Sequence, residues 1–194
     1  MVLATSALAG GGPLGIDHMY SRSDTGIWSR NNQTALAVGS GILVLGDALW
    51  EGSDSRLGNT SWRSVDAMVL GAMAATAGKL IFQRQRPVDG NDPNAWFKSS
   101  NDKSFPSGEV THIAAIVTPF IAEYQQDYPA VWALALLPVY DGIARMKSQA
   151  HWQTDVLAGL ALGAGIGIYT HGRSDSIIVG LLPGGVSVGF RQSF

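Results

Sequence analysis

Apolar residues fall into blocks separated by polar, turn-forming connections. Residues 33–49 predict an apolar helix, and 50–61 (WEGSDSRLGNTS) predict a turn-rich link. A second helix is expected from about Ser61 to Gln85, with rows of Ala, Met and Gly suited to close packing. Pro87 marks its end, because the residue before a proline is pushed out of the helical region. Residues 88–105 are polar and read as a long loop; such a loop within a compact domain is usually functional. A third helix follows from Ser107 to near Gln125, and a fourth covers about Pro129 to Ala144 with a bend at Pro138. A fifth runs from near His151 to near Tyr169. The first 32 residues are irregular, rich in Gly, Asn, Ser and Asp. The tail, SIIVGLL-PGG-VSVGF, alternates on both sides of a Pro-Gly-Gly turn and predicts a small β-hairpin within 176–194. The expectation is one all-α domain over 1–194, a bundle of five to six helices with a hairpin tail.

Composition narrows this picture. With 194 residues the chain can bury one sizeable core. Only 14% of residues are charged and the mean hydropathy is +0.12, which suits buried helices or a membrane-proximal protein. A spanning helix wants about 18–20 apolar residues without charge. Here Asp47, Lys79 and Glu123 interrupt the runs, which favours short helices buried against one another in a soluble or peripheral protein. The net charge of −2 supplies no field for nucleic acid. Cysteine is absent, which excludes disulfide and thiol chemistry. The opening MVLATSALAGGG fits a trimmed leader or a Gly-rich start equally well.

Three segments carry candidate chemistry. In KLIFQRQRP, Lys79 and Arg86 lie seven apart, so on one helix they would point the same way and grip one anion. A solvated basic helix end, with Arg84 between them, reads the same residues without function. In FPSGEV, Ser107 can cap a helix or donate its hydroxyl to a phosphate oxygen, and Gly108 admits close backbone approach at a positive helix end. An ordinary N-cap explains that segment too. In ARMKSQAHWQTD, His151 and Asp155 are four apart, so a helix starting there would let the carboxylate hold the ring with its other nitrogen free to attack. Arg145 precedes them by six residues.

Taken together and in this order, K-x6-RP, PSG and R-x5-H-x3-D resemble the signature of the type 2 phosphatidic acid phosphatase superfamily, which also includes class A acid phosphatases and vanadium haloperoxidases. Nine positions between Lys79 and Asp155 match with their internal spacings. The resemblance implies a helical bundle and a phosphatase that needs no metal or other cofactor. By motif position, Lys79, Arg86 and Arg145 would bind phosphate oxygens, and Ser107 with the Gly108 N–H would complete the cradle. His151 would attack phosphorus to give a phosphohistidine, and Asp155 would orient it. Positive donors around the equatorial oxygens and an in-line nucleophile are what phosphoryl transfer requires.

Two positions depart from the family pattern. Ala144 stands where a serine often precedes the arginine, at the cost of one hydrogen bond. Glu109 stands where the family has the histidine that protonates the leaving group. Three readings follow: Glu109 acts as the acid with an acid-shifted optimum, His112 supplies the proton instead, or the protein binds phosphate and turns it over poorly. A haloperoxidase is a further alternative, although those enzymes are much longer. The apolar composition points to a lipid-linked monoester or pyrophosphate met at a membrane surface, and the expected place is a bacterial cell envelope, periplasmic or membrane-associated. Trp96 and Phe97, in the long loop, either touch acyl chains or pin the loop.

Overall fold

The computed structural model describes residues 11–181, and within them the chain is a bundle of six helices. They are α1 (Arg30–Glu51), α2 (Arg56–Phe82), α3 (Gly108–Tyr124), α4 (Leu136–Lys147), α5 (Gln153–His171) and α6 (Ile177–Leu181). Ser29 caps α1 and Ser55 caps α2, each hydroxyl accepting a first-turn N–H. Helix α2 therefore begins five residues before the expected Ser61. It also stops three residues short of Gln85, because Gln83 adopts a left-handed conformation (φ 42°). The expected fourth helix divides: Pro129–Ala135 form a 3₁₀ segment and α4 begins at Leu136. Pro138 thus sits in the first turn of α4, where its missing N–H costs nothing.

The expected hairpin is corrected at its first arm. Ile177–Leu181 are helical, because the buried carboxylate of Asp66 accepts from the Ile177 N–H (2.6 Å) and the Ile178 N–H (3.0 Å) and so nucleates a turn. The Pro-Gly-Gly turn and the second arm lie outside the described residues.

Helices α3 and α5 run parallel and form the most intimate contact in the bundle. Gly159 lies against Ser107, Gly163 against Thr111 and Ala114, and Gly167 against Thr118. A methyl group on Gly163 would come within 2.4 Å of the Thr111 carbonyl oxygen, so only glycine allows this separation. The parallel register brings both helix N-termini to one end of the bundle. A core of Val44, Ala48, Trp62, Val65, Ile113, Ile116, Val117 and Ile121 holds α1, α2 and α3 together behind that end.

The outside of the bundle departs from the expectation of short, mutually buried helices. On α1, Val38, Ile42, Leu43, Leu49 and Trp50 face outward, with Leu43 75% and Trp50 72% exposed. On α2 the outward residues include Val69, Met73, Leu80 and Ile81. Both helices are long and apolar enough to cross a membrane. The charges that interrupt the runs turn inward instead: Asp47 accepts a hydrogen bond from Ser61, and Lys79 donates to the Pro106 and Lys103 carbonyls.

Candidate active site

The N-termini of α1, α3 and α5 and the C-termini of α2 and α4 meet at one end, and all eight motif side chains and backbone positions singled out above are found there. Ser107 precedes α3 but does not cap it: its hydroxyl is buried without a hydrogen-bond partner. The first-turn N–H groups of α3 therefore also lack a side-chain cap. The Ser107 N–H donates to the Asp155 carbonyl (3.0 Å), tying the second motif directly to the third. A Cβ on Gly108 would press on the Lys79 side chain at 3.4 Å, so glycine keeps that corner open. Lys79, Arg86 and Arg145 lie within one another's electrostatic reach. Their convergence does not come from a shared helical face, since α2 ends at Phe82 and Arg86 follows in extended backbone.

His151 and Asp155 are also paired differently from the expected helical i, i+4 geometry. Helix α5 starts at Gln153, so His151 lies in the preceding loop. Asp155 sits in the first turn, where its Oδ2 accepts from the Trp152 N–H (2.9 Å) and lies 3.6 Å from His151 Nδ1. That separation exceeds a hydrogen bond, and Nδ1 has no other partner. Burial pushes the His151 ring down to about 4, with the Asp155 carboxylate opposing and the Arg145 and Lys79 charges assisting. The ring is neutral at physiological pH, the form a nucleophile needs. Asp155 is fully buried and accepts further bonds from Arg84 Nη1 (2.6 Å) and Ser104 Oγ (2.5 Å).

Glu109 projects from the first turn of α3 and is clasped by Arg30, whose Nη1 and Nη2 donate to its two oxygens at 2.7 and 2.5 Å. Arg145 Nη1 lies 3.6 Å from Glu109 and donates to Gln33 Oε1 at 3.0 Å. Burial pushes the Glu109 carboxyl up, but the Arg30 hydrogen bonds and the Arg145 and Arg30 charges together push it further down. Glu109 is therefore an ionised carboxylate here. His112, the other candidate donor, gives its Nε2–H to the Ala37 carbonyl (2.9 Å). Arg84, which lies between Lys79 and Arg86 in the sequence, is fully buried, which removes the reading of a solvated basic helix end. Trp96 packs against Phe82 and Phe105 and pins the long loop, while Phe97 stays exposed.

Four contributors were not anticipated from the sequence. Arg30 and Gln33 come from α1, where no spacing links them to the motifs. Ser104 and Asp17 come from segments read only as loop. A groove of about 510 Å³ opens beside the cradle, bounded there by Lys79, Gly108 and Glu109. It continues between α1 and α2 over Ala37, Gly41, Ile42, Leu45, Met68 and Ala72.

Comparison with known proteins follows the same residues. Over 112 residues, 56% of its length, the chain is 35% identical to a lipid A 1-phosphatase of Porphyromonas gingivalis. It spans about a fifth of that relative's length (22%). No solved structure matches. The PAP2 superfamily profile matches residues 61–176, more than half of the chain and the stretch that holds all three motifs. The chain belongs to the PAP2 superfamily.

Proposed function

We propose that this protein hydrolyses a lipid-linked phosphate monoester or pyrophosphate through a phosphohistidine. The observation that carries the reading is the convergence of a buried, neutral His151 with donors that have no internal partner. Ser107 Oγ and Arg145 Nε are both buried and unpaired. The N-terminus of α3, which has no side-chain cap, opens at the same end. An anion bound there would give these donors the partner they lack.

In the proposed reaction Lys79, Arg86 and Arg145 neutralise the phosphoryl oxygens, and Ser107 Oγ and the Gly108 N–H bind the remaining charge. His151 Nε2 attacks phosphorus while the bond to the leaving oxygen breaks, and Asp155 stabilises the proton on Nδ1. Water then attacks phosphorus, His151 leaves, and orthophosphate departs. These side chains supply nucleophile and charge stabilisation without a metal. Glu109 starts ionised. A bound dianion competes for Arg145 and Arg30, which loosens the clasp and raises the carboxyl, so Glu109 takes up a proton with substrate and delivers it to the leaving oxygen.

Two features support a lipid substrate. The groove beside Lys79 and Glu109 is lined almost wholly by apolar side chains. The similar protein from Porphyromonas gingivalis is named for lipid A. The outward apolar faces of α1 and α2 support a seat in a bacterial envelope membrane. In that seat the outer faces of α1 and α2 lie against hydrocarbon and the site end lies outside it, on the periplasmic side.

The test is orthophosphate release from lipid-linked monoester and diphosphate, with a soluble aryl phosphate alongside. Release by the wild type, abolished in His151→Ala, with a base-stable, acid-labile phosphoenzyme trapped on the wild type, is the expected result. No release from any of the three substrates would overturn the reading.

A further inference from the structure

Behind the phosphate cradle lies a buried charge relay that no motif describes. Arg84 carries five N–H groups and all five are used. Nη1 donates to Asp155 Oδ1 (2.6 Å) and Thr154 Oγ1 (2.7 Å). Nη2 donates to Asp17 Oδ2 (2.5 Å) and the Pro93 carbonyl (2.7 Å), which also accepts from Nε (3.2 Å). The guanidinium is covered by the Trp96 ring at 4.3 Å. Both carboxylates and the guanidinium have no solvent exposure.

Asp17 belongs to a tight strap at the start of the described chain. Gly11 and Asp17 exchange both backbone hydrogen bonds, at 2.8 and 2.9 Å. Gly12, at φ +75°, lies under the Asp17 carboxylate: a Cβ there would fall 1.9 Å from Oδ2. The carboxylate also accepts from the Thr154 N–H (2.8 Å) and Thr154 Oγ1 (2.7 Å), the residue next to Asp155. His18 continues the strap, its N–H donating to Gln153 Oε1 while Gln153 Nε2 donates back to the His18 carbonyl.

We infer that Asp17 and Arg84 are positioning residues for the His151–Asp155 couple, so that the strap at residues 11–18 completes the active site. Arg84 holds Asp155 Oδ1 while Oδ2, which accepts from the Trp152 N–H and Ser104 Oγ, faces His151 Nδ1 at 3.6 Å, so the carboxylate plane is fixed toward the ring. Asp17 shares the guanidinium's charge. Asp155 thereby keeps enough basicity to hold the Nδ1 proton instead of being neutralised by a bare arginine. Neither residue reaches the phosphate cradle. The relay acts on the nucleophile alone, and it rests on the reading of His151 as nucleophile.

The test uses the full chain with Asp17→Asn, Arg84→Lys and Gly12→Ala. Gly12→Ala removes no charge; it displaces the Asp17 carboxylate and strains the backbone at φ +75°. Turnover of a soluble aryl phosphate should fall 10- to 100-fold in each variant. KM and the affinity for inorganic phosphate should stay within about threefold, because the cradle is untouched. Nitrogen-15 spectra of the His151 ring give a readout independent of turnover. The wild type should show Nδ1 protonated and Nε2 bare, and Asp17→Asn should shift the ring toward the other tautomer. A wild-type ring with Nε2 protonated overturns the relay even if a variant fails to fold. So does an Asp17→Asn protein that folds, binds phosphate and keeps turnover within twofold. A wild type with no turnover but the expected tautomer and phosphate affinity would count against the phosphatase and not against the relay.

Discussion

Glu109 changes what the free site is. The carboxylate sits among cations gathered for phosphate, held by Arg30 and faced by Arg145. In its proposed role as proton source for the leaving oxygen, it matters most where that oxygen is a poor leaving group. Glu109→Gln should therefore lower turnover of an alkyl phosphate at least 10-fold while leaving an aryl phosphate or a pyrophosphate nearly unchanged, measured as kcat on the three substrates. His151 sets the other limit. Its buried ring ionises only near pH 4, against about 6.5 in the unfolded chain. Between those values the unfolded chain binds the proton and the folded one does not, so the ring's contribution to stability is lost as pH falls through that window. Activity should outlast this loss: kcat/KM on an aryl phosphate should show its acid limb near pH 4 and not near 6.5. The nine matching positions were legible at this scale because phosphoryl chemistry restricts residue types at fixed spacings. Arg30 was not, because its contact with Glu109 spans 79 residues and no local pattern encodes it. Arg84 shows the converse. A solvated helix end was the alternative its basic neighbours allowed, yet α2 stops at Phe82 and the chain turns Arg84 inward.

At the scale of elements, the site depends on how closely α3 and α5 run. Gly163 sets that distance, and Gly163→Val would drive its side chain into the Thr111 carbonyl. Overpacking of this kind costs about 1–3 kcal/mol. The melting temperature should fall, and phosphate affinity should fall with it as the two N-termini part. The rows of glycine in the fifth helix were visible in the sequence, but their partner was not. Periodicity shows which face is small, not which helix lies on it. Helix ends were the least legible feature. Ser55 and Ser29 begin α2 and α1 ahead of the apolar runs, since a capping hydroxyl and not hydrophobicity decides where a helix starts. The helical start of the tail depends on Asp66, more than a hundred residues away, which alternation within 176–181 could not reveal.

For the whole molecule, the surface carries the message that composition left open. Interrupting charges were read as limits on the apolar runs, yet Asp47 and Lys79 are satisfied within the bundle and the outer faces of α1 and α2 stay apolar. Scattered exposed apolar residues are ordinary, but a continuous face on adjacent helices is not. The full chain should therefore float with phospholipid vesicles through a density gradient and resist release by 1 M salt. A Leu43→Lys, Trp50→Glu double variant should weaken that association without altering turnover of a soluble aryl phosphate.

The clasp between Arg30 and Glu109 has a consequence for the end of the catalytic cycle. Once water has released orthophosphate, the product shares its cations with a carboxylate tethered a few ångströms away. That tethered anion is present at high effective concentration, and it competes with the product without ever diffusing off. In the proposed reaction departure is thus assisted, and inhibition by the phosphate that accumulates around the protein is resisted. Replacing Glu109 by glutamine removes the competitor, so the inhibition constant for orthophosphate should tighten about 10-fold, even as the variant loses its grip on difficult leaving groups.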